Sequence, residues 1–378
     1  MKFDLPRHEI TPPKSDEVEL TFFGPGFGES TVIHIPGIGW GITDSCEFGP
    51  VTERFVPPLK YLIYQDVNRL AFLVLTHPHA DHFKGMEQIV GHYLGRIDRV
   101  CWYAGDGARE LGVYLTNRGI KGIPGARSLS SVFKAFNEAG DNNAERRRLG
   151  AMTQIIPRKQ VSLNGTTIEV EVLSLSPSAK DEQLYVDILR AASPQLTGRI
   201  TEIPDSDHNL VASAIWISAG DVVVILGSDV EKGRGRSSGW RAIVSSVDAP
   251  DLPVKVLKVP HHGSPSGYYK KAWEQHCGGK KITSVVTPFA RGKQLRPSEE
   301  DIKRIENLSS HVGLTSQVRY VRAQDVYDRA VARRLMEKKW RVIQTPEECG
   351  MITVRYDVTG NATLHNALPP AYWAKSQP

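Results

Sequence analysis

The chain has 378 residues, of which 40% are hydrophobic and 24% are charged, and its formal net charge is +5 at pH 7. This is the composition of a globular protein with a large core, in one large or two ordinary domains. No apolar stretch approaches the roughly 18 residues of a membrane-spanning helix, and residues 1–8 lack an apolar signal core. We therefore expect a cytoplasmic protein with no membrane contact. A balance of 47 basic and 42 acidic residues permits an anionic substrate without indicating nucleic-acid binding by itself.

The first part of the chain predicts a sheet followed by a β-α-β unit. Short apolar segments broken by glycines predict three antiparallel strands, and alternating patterns then predict further elements. In chain order, these are strands 18–26, 29–36 and 40–45, helix 59–67, strand 70–76, helix 83–94 and strand 99–104. Residues 106–158 are polar and charged, and we predict that they form an inserted helical cap without a strand. This cap is either a solvated pair of helices or a substrate lid.

The second part predicts another sheet. Asn164-Gly165 lies between alternating segments and predicts a hairpin over residues 161–175. The remaining predicted elements are a hairpin of strands 211–218 and 222–226, strands 254–259 and 282–288, helix 268–277, a helix that begins at Ser298 with a capping-box-like pattern, helix 325–339, and strands 340–345 and 351–357. These elements favour an α/β fold, a four-layer αββα sandwich, in a single domain over residues 1–366. We expect residues 367–378 to form a Pro- and aromatic-rich tail that packs on the body or binds a partner protein.

Cysteine spacing excludes two kinds of site. Cys46, Cys101, Cys277 and Cys349 lie far apart and form no Cys-x-x-Cys pair. Neither a disulfide framework nor a cysteine zinc site is therefore predicted. We expect most of these residues to be buried, reduced thiols.

Residues 76–82 read Thr-His-Pro-His-Ala-Asp-His and follow a predicted buried strand. His77, His79, Asp81 and His82 are thus four metal-binding side chains within six positions. Pro78 disfavours helix at His77, and an extended turn allows alternate side chains to converge. A tetrahedral zinc site that keeps one position for water needs fewer than four protein ligands. The four imidazole and carboxylate groups therefore predict two adjacent metals. The alternative is a polar loop whose histidines cap the next helix.

Further metal-binding side chains occur where other predicted strands begin or end: His208, Asp229, His261 and His262. Asp229 follows strand 222–226, and a carboxylate at this position can bridge two cations, with Gly227 leaving room for close approach. Taken alone, Asp229 has an ordinary explanation as a turn or cap residue, and His208 as a surface histidine.

The order of five motifs carries a family resemblance. They are Gly24-Pro-Gly-Phe-Gly-Glu-Ser30, Thr43-Asp-Ser45, the histidine heptapeptide, Leu226-Gly-Ser-Asp229 and Leu257-Lys-Val-Pro-His-His-Gly-Ser264. This order resembles the hydrolase domain of the competence, or ComEC-like, branch of the metallo-β-lactamase superfamily, over about residues 18–300. The membrane helices of that branch's channel are absent from the sequence, so we expect a free-standing hydrolase.

The resemblance implies roles for individual residues. His77 and His79 would bind a first metal, Asp81 and His82 a second, and Asp229 both. His208 occupies the place of a further histidine ligand, for which Asn209 is the alternative. His261 is expected to bind the second metal because it ends its strand, and His262 to contact the substrate. Asp44 matches an aspartate that orients a ligand histidine by a hydrogen bond.

One stretch departs from the family pattern. A histidine-proline-histidine sequence is common before the last helix of the group, but this chain reads Gln294-Leu-Arg-Pro-Ser298. Arg291, Lys293 and Arg296 instead offer positive charge near this point, and a guanidinium binds phosphate in a fork geometry. They are either contacts for an anionic substrate or a solvated basic loop.

The predicted chemistry follows from the ligands. Two bound metals, Zn2+ or also Mn2+, would lower the pKa of water to about 7 and polarise the attacked group, and Asp81 would orient that water and take its proton. His-x-His rather than His-x-Glu argues against the di-iron redox branch of the superfamily.

We therefore predict a nuclease-like phosphodiesterase, or another phosphoesterase, acting on nucleic acid, a nucleotide or a phospho-headgroup. The alternatives are an esterase or lactonase, or a non-catalytic metal-binding subunit of a protein complex. The sequence predicts no oligomeric state.

Overall fold

The computed structural model describes residues 10–50, 52–103, 110–115, 126–163, 165–192, 203–278, 282–290, 295–339, 342–344 and 348–376. Within these residues, two eight-stranded mixed sheets form the centre of the molecule. The first sheet has the order β17-β16-β1-β2-β3-β4-β5-β6. Its strands are β1 Glu17–Phe23, β2 Ser30–Ile35, β3 Gly39–Thr43, β4 Leu70–Val74, β5 Arg99–Trp102, β6 Glu145–Arg148, β16 Met351–Asp357 and β17 Ala362–Leu368.

The second sheet has the order β18-β13-β12-β11-β10-β9-β8-β7. Its strands are β7 Thr153–Leu163, β8 Thr166–Ser174, β9 Ile215–Ala219, β10 Val222–Leu226, β11 Val256–Lys258, β12 Thr283–Val286, β13 His311–Leu314 and β18 Tyr372–Lys375. In both sheets, hairpin-connected antiparallel strands adjoin a parallel group, β3 to β6 in the first and β10 to β13 in the second. The parallel groups decide where the site lies, because their carboxyl ends share one edge of each sheet.

The described residues also form ten α-helices, most of which flank the sheets. They are α1 Pro57–Tyr64, α2 Ala80–Phe83, α3 Met86–His92, α4 Ala126–Asp141, α5 Ala179–Ala192, α6 Asp205–His208, α7 Gly239–Ser245, α8 Lys270–His276, α9 Glu299–Leu308 and α10 Arg329–Glu337. One core cluster lies between the sheets and includes Phe72 and Val224. A second packs helices α1, α3, α4 and α5 on the first sheet, and a third packs α7, α8 and α9 on the second. The predicted four-layer αββα sandwich is therefore confirmed.

The predicted absence of strands from residues 106–158 is wrong. Helix α4 lies in this stretch, but β6 forms the edge of the first sheet and β7 begins at Thr153. The sequence of β6, Glu-Arg-Arg-Arg, has the charge of a solvated helix, yet it pairs in parallel with β5. Charged side chains are compatible with an edge strand because they oppose pairing with another molecule. The prediction of a cap thus missed two strands of the core sheets.

Two further segments lie where the sequence did not place them. Val342–Gln344, within the predicted strand 340–345, is β15, and it pairs with β14, Arg319–Val321, in a separate two-stranded sheet instead of joining one of the core sheets. The predicted tail contributes the end of β17 and the edge strand β18, which pairs with β13. Its role toward a partner and the single-domain boundary at residue 366 stay predictions. None of the helices described is long and apolar enough to cross a bilayer.

Four local predictions hold. Ser298 and Asp301 form a reciprocal capping box at the start of α9. Leu163 pairs with Thr166, so β7 and β8 form the predicted two-residue hairpin, although Asn164 lies outside the described residues. All four cysteines are buried and free. Gly227 lies where a Cβ would come within 2.6 Å of Pro260, so close approach does require glycine there.

Candidate metal centre

The candidate site lies where parallel strands of both sheets end. Strands β3 and β4 lead to Asp44 and the histidine heptapeptide, and β10 and β11 lead to Asp229 and to the pair His261-His262. Each sheet therefore supplies part of the site, and the two sheets meet at Asp229. This convergence is what the sequence predicted from strand ends.

A first group of possible ligands surrounds one oxygen of Asp229. His77, His79 and Asp229 offer ligand atoms that all lie within 4.8 Å of one another. His77 Nε2 is 3.1 Å from His79 Nδ1 and 4.0 Å from Asp229 Oδ2. The Nδ1 atom of His77 faces Thr76 Oγ1 at 3.1 Å, which leaves Nε2 directed at the group.

A second group surrounds the other oxygen of Asp229. Asp229 Oδ1 lies 3.6 Å from His82 Nε2 and 3.8 Å from His262 Nε2. Asp81 joins this group through Oδ2, which is 3.3 Å from His262 Nε2 and 3.8 Å from His82 Nε2. Asp229 thus has one carboxylate oxygen in each group, the position of a bridging ligand.

The chemistry of the second group fits a cation. His82 Nε2, His262 Nε2 and Asp229 Oδ1 are buried, and none has a hydrogen-bond partner among the residues that the structure describes. Buried polar atoms without partners are costly, and three of them directed at one point need a common partner. Because imidazole nitrogen and carboxylate oxygen are the ligands that Zn2+ and Mn2+ accept, the residues fit a bound metal.

Asp44 fixes the orientation of His82. Its Oδ2 atom is 2.8 Å from His82 Nδ1. Thr76 donates two hydrogen bonds to the same carboxylate, from its backbone N–H to Oδ1 and from its hydroxyl to Oδ2, both at 2.8 Å. With Nδ1 held in this way, Nε2 of His82 is the nitrogen left for a metal. This is the contact expected for a carboxylate that orients a ligand histidine.

The two histidines of the Pro-His-His motif lie in different places. His262 belongs to the second group, with its Nδ1 atom 2.8 Å from the carbonyl oxygen of Thr287. His261 lies beside it, with Nε2 3.9 Å from Asp229 Oδ2 and Nδ1 2.8 Å from Ser266 Oγ. The sequence favoured His261 for the second metal, whereas the structure brings His262 into the group around that position.

His208 and Asn209 lie beside the first group. The ring centroid of His208 is 5.4 Å from that of His79, and its Nδ1 atom is 2.7 Å from the hydroxyl of Tyr185. Asn209 lines the cleft above the metal groups. Both candidates for the third ligand position are therefore close to His79.

Glu29 and Lys258 belong to the site, although neither was predicted as a site residue. They are buried, with 4% and 2% of their surfaces exposed, and the Lys258 ammonium pairs with both oxygens of Glu29. Glu29 lies 3.6 Å from Nδ1 of His82 and 3.3 Å from Nδ1 of His262, on the side of each ring away from Asp229. Glu29 thus contacts both rings at Nδ1, and its carboxylate also offers a ligand atom within 4.8 Å of those of His82, Asp229 and His262. A lysine within the apolar segment Val-Leu-Lys-Val was the available signal, because a buried ammonium requires a carboxylate.

Two residues of the site are held in the charge state that binds a metal, and a third is not. Burial raises the pKa of Asp229, but neighbouring imidazoles, His262 foremost, outweigh it and hold the pKa well below its usual value. Burial and the nearby His82 hold the pKa of His77 well below its usual value. Burial opposes charge on His82, yet Glu29 and the other carboxylates hold its pKa well above the usual value. Because an ionised carboxylate and a neutral imidazole are the forms that bind a cation, the shifts of Asp229 and His77 favour binding, whereas His82 has to lose a proton first.

Backbone conformation supports the geometry. Four non-glycine residues of the site have left-handed backbone: Asp44 (φ 61°), Ser228 (φ 45°), His261 (φ 49°) and His262 (φ 54°). Such conformations are uncommon outside glycine and persist only where the surroundings fix them. They turn the chain sharply after the strands, which directs these side chains to the centre.

An open cleft of about 360 Å³ leads to the two groups. His79, Asp81, Asp229, His261 and His262 line it together with Phe27, Lys84 and Arg296. Arg296 lines this cleft and also donates from Nη1 to Asp301 Oδ2 at 3.4 Å, whereas Arg291 and Lys293 lie outside the described residues. Lys84 is a second cation of the cleft that sequence analysis did not identify.

Comparison with known proteins gives no family assignment. No family model matches the chain, and no curated protein matches it. One solved structure with similarity is described as "Crystal Structure of a New Diphosphatase from the PhnP Family". It is 14% identical, with a TM-score of 0.33, and the match covers 71% of this chain and 86% of that one. A similarity at this level defines no activity for this chain.

Proposed function

We propose that the protein is a metal-dependent hydrolase of the metallo-β-lactamase superfamily that cleaves a phosphodiester or a related phosphoester. The observation that carries this proposal is the pair of buried ligand groups that share Asp229 at the base of an open cleft. The order of motifs along the chain and the αββα topology support the superfamily. Arg296 and Lys84 in the cleft favour an anionic substrate.

His77, His79 and Asp229 would hold one cation, with Nε2 of His208 as a third imidazole because Tyr185 occupies its Nδ1. Asp81, His82, His262 and Asp229 would hold the other. When bound, two such cations supply a water of lowered pKa and polarise the attacked group. Asp81 extends into the cleft, where its carboxylate can orient a water molecule and accept its proton.

The remaining residues would position the substrate. Arg296, which also pairs with Asp301, offers guanidinium N–H groups to the non-bridging phosphate oxygens, and Lys84 a second positive charge. His261, on the cleft wall, can donate a proton or a hydrogen bond to the leaving oxygen. Phe27 and Phe289 provide apolar walls for the group attached to the phosphate.

The test combines metal analysis with hydrolysis. We expect about two equivalents of Zn2+ or Mn2+ per chain by mass spectrometry, reduced in His77→Ala and in Asp229→Ala. Metal-loaded protein should hydrolyse bis(p-nitrophenyl) phosphate, and both variants should lose at least about a hundredfold in kcat/KM. His92→Ala, which alters an exposed histidine of α3, is the matched control and should behave as wild type.

The same assays distinguish the alternatives. Hydrolysis of p-nitrophenyl butyrate or a lactone without hydrolysis of the phosphodiester would make the protein a carboxyl esterase. Bound metal without turnover of either substrate class would identify a metal-binding subunit. Absence of metal after reconstitution with Zn2+ or Mn2+ would contradict all three functions.

A further inference from the structure

The positive charge of the chain is concentrated in one segment. Residues 319–344 contain eight arginines and lysines and three acidic residues, a net charge of +5 that equals the charge of the whole chain. The rest of the chain has 39 basic and 39 acidic residues and is neutral. We call the described part of this segment, residues 319–339 and 342–344, the basic arm. Charge separated in this way indicates a surface for a polyanion.

The basic arm has little core of its own. It consists of strands β14 and β15 and helix α10, and among its described residues only Ala323 and Ala332 are buried. Tyr320 and Tyr327 have 41% and 45% of their surfaces exposed, beside exposed Val326, Val331 and Met336. Basic side chains interleaved with exposed aromatic rings are typical of surfaces that bind single-stranded nucleic acid.

The arm begins at the rim of the metal cleft. The hydroxyl of Tyr320 accepts a hydrogen bond from the backbone N–H of Leu295 at 3.3 Å. The next residue, Arg296, lines the cleft. The β14 end of the arm therefore lies next to a residue that adjoins the cleft.

We propose that the basic arm binds a single strand of nucleic acid and leads it into the cleft. Arg329, Arg333 and Arg334 of α10 contact phosphates, and the ring of Tyr327 stacks on a base. This assignment of the substrate class rests on the proposed phosphodiesterase function. The two tyrosines and the position at the cleft favour a nucleic-acid strand over an anionic membrane surface.

Binding can be measured separately from hydrolysis. Fluorescence anisotropy would use the metal-loaded protein and a labelled single-stranded oligonucleotide with a phosphorothioate backbone, which keeps the charge and resists cleavage. The triple variant R329A/R333A/R334A should weaken binding by about tenfold to a hundredfold at low salt. It should also reduce the slope of log affinity against log salt by about 2, for three lost phosphate contacts on a single strand.

Two matched controls exclude general charge and folding effects. K159A/K180A/K271A removes the same charge from exposed lysines elsewhere and should leave binding unchanged. Tyr327→Leu should weaken binding roughly tenfold by loss of stacking, whereas Tyr327→Phe should retain it. Equal losses of oligonucleotide affinity in R329A/R333A/R334A and in K159A/K180A/K271A would overturn the proposal. So would binding to phosphatidylserine vesicles without binding to the oligonucleotide.

Failure of this proposal is distinguishable from failure of the proposed function. Arm variants should hydrolyse bis(p-nitrophenyl) phosphate at the wild-type rate, because this small substrate reaches only the cleft. Full hydrolysis of it by a protein that binds no oligonucleotide would overturn the arm's role and leave the hydrolase. Oligonucleotide binding that depends on the arm, in a protein without hydrolase activity, would support the arm and contradict the hydrolase.

Discussion

Single residues show how the site is held by groups that contact its histidine rings at Nδ1. Asp44 holds Nδ1 of His82, and Thr287 holds Nδ1 of His262, so that both Nε2 atoms point at Asp229. Glu29 lies beside both Nδ1 atoms and is itself neutralised by Lys258. Because each imidazole offers two nitrogens, such contacts decide which one is available to a metal.

The Glu29–Lys258 pair provides a test of this support. Lys258→Met leaves a buried carboxylate without its cation, and we expect the free energy of unfolding to fall by about 3–5 kcal/mol. Adding Glu29→Gln should recover most of the stability but not the full affinity for the second metal equivalent. Urea unfolding of the metal-free protein and metal titration measure the two effects separately.

An exposed ion pair is the control for this experiment. Lys270 and Glu274 are 3.3 Å apart on α8, with 75% and 59% of their side-chain surfaces exposed. Lys270→Met should change the free energy of unfolding by less than about 0.5 kcal/mol. A Lys258→Met protein as stable as this control would show that the buried pair has no such role.

Among the elements, the ends of β10 and β11 approach each other closely. A Cβ on Gly227 would lie 2.6 Å from Cγ of Pro260 and 2.9 Å from the carbonyl oxygen of Lys258. Gly227→Ala should therefore push the Pro-His-His turn away from Asp229, lowering stability by about 1–3 kcal/mol and lowering metal content. Gly235→Ala is the control, since its Cβ meets nothing within 4 Å. Unchanged metal content in Gly227→Ala would show that the turn tolerates the displacement.

The last strand, β18, tests whether the end of the chain is structural. It pairs with β13, and Lys375 Nζ donates hydrogen bonds to the carbonyl oxygens of Glu306 and Ser309 at 2.6 and 2.8 Å. Truncation after Ala371 removes these contacts and exposes β13 as a sheet edge, which should cost at least about 2 kcal/mol. Thermal unfolding of this protein, compared with that of a protein truncated after Ser376, measures the cost. Equal stability of the two proteins would favour a tail that is free for a partner.

Elements with a strong local pattern were predictable from sequence, and elements that depend on distant pairing were not. The β7–β8 hairpin and the α9 capping box follow from adjacent residues. The charged strand β6 did not, because only its partner β5 makes it a strand. Glu29 was missed for the same reason, since its partner Lys258 is 229 residues away. The choice between His261 and His262 depends on left-handed backbone at both residues, which the sequence does not indicate.

At the scale of the whole molecule, the centre joins the two sheets. The loop after β4 of the first sheet provides His77, His79, Asp81 and His82, and the second sheet provides Asp229 and His262. A cation bound by both would link the two halves of the sandwich. Metal loading should therefore raise the melting temperature of the entire protein rather than order one loop, by the mass-action stabilisation of the folded state.

This linkage has a pH dependence whose sign follows from the pKa shifts. Burial lowers the pKa of His262, but Asp229 and other groups outweigh burial and raise it, and the pKa of His82 is raised well above its usual value. Without metal, both contribute stability that is fully present below about pH 6.5 and is lost as pH rises through their folded values. Metal must displace these protons, so metal affinity should increase with pH while this part of the metal-free stability decreases.

Calorimetric titration with Zn2+ in buffers of different ionisation enthalpy measures the protons released. We expect the second metal equivalent to release more protons than the first, because the pKa values of His82 and His262 are raised whereas that of His77 is lowered. His82→Ala should reduce the release by about one proton, and His92→Ala should not change it. Heats that are independent of the buffer would show that neither imidazole is charged in the metal-free site. The rise in melting temperature on metal loading should correspondingly grow between about pH 6 and pH 8, in step with the protons displaced.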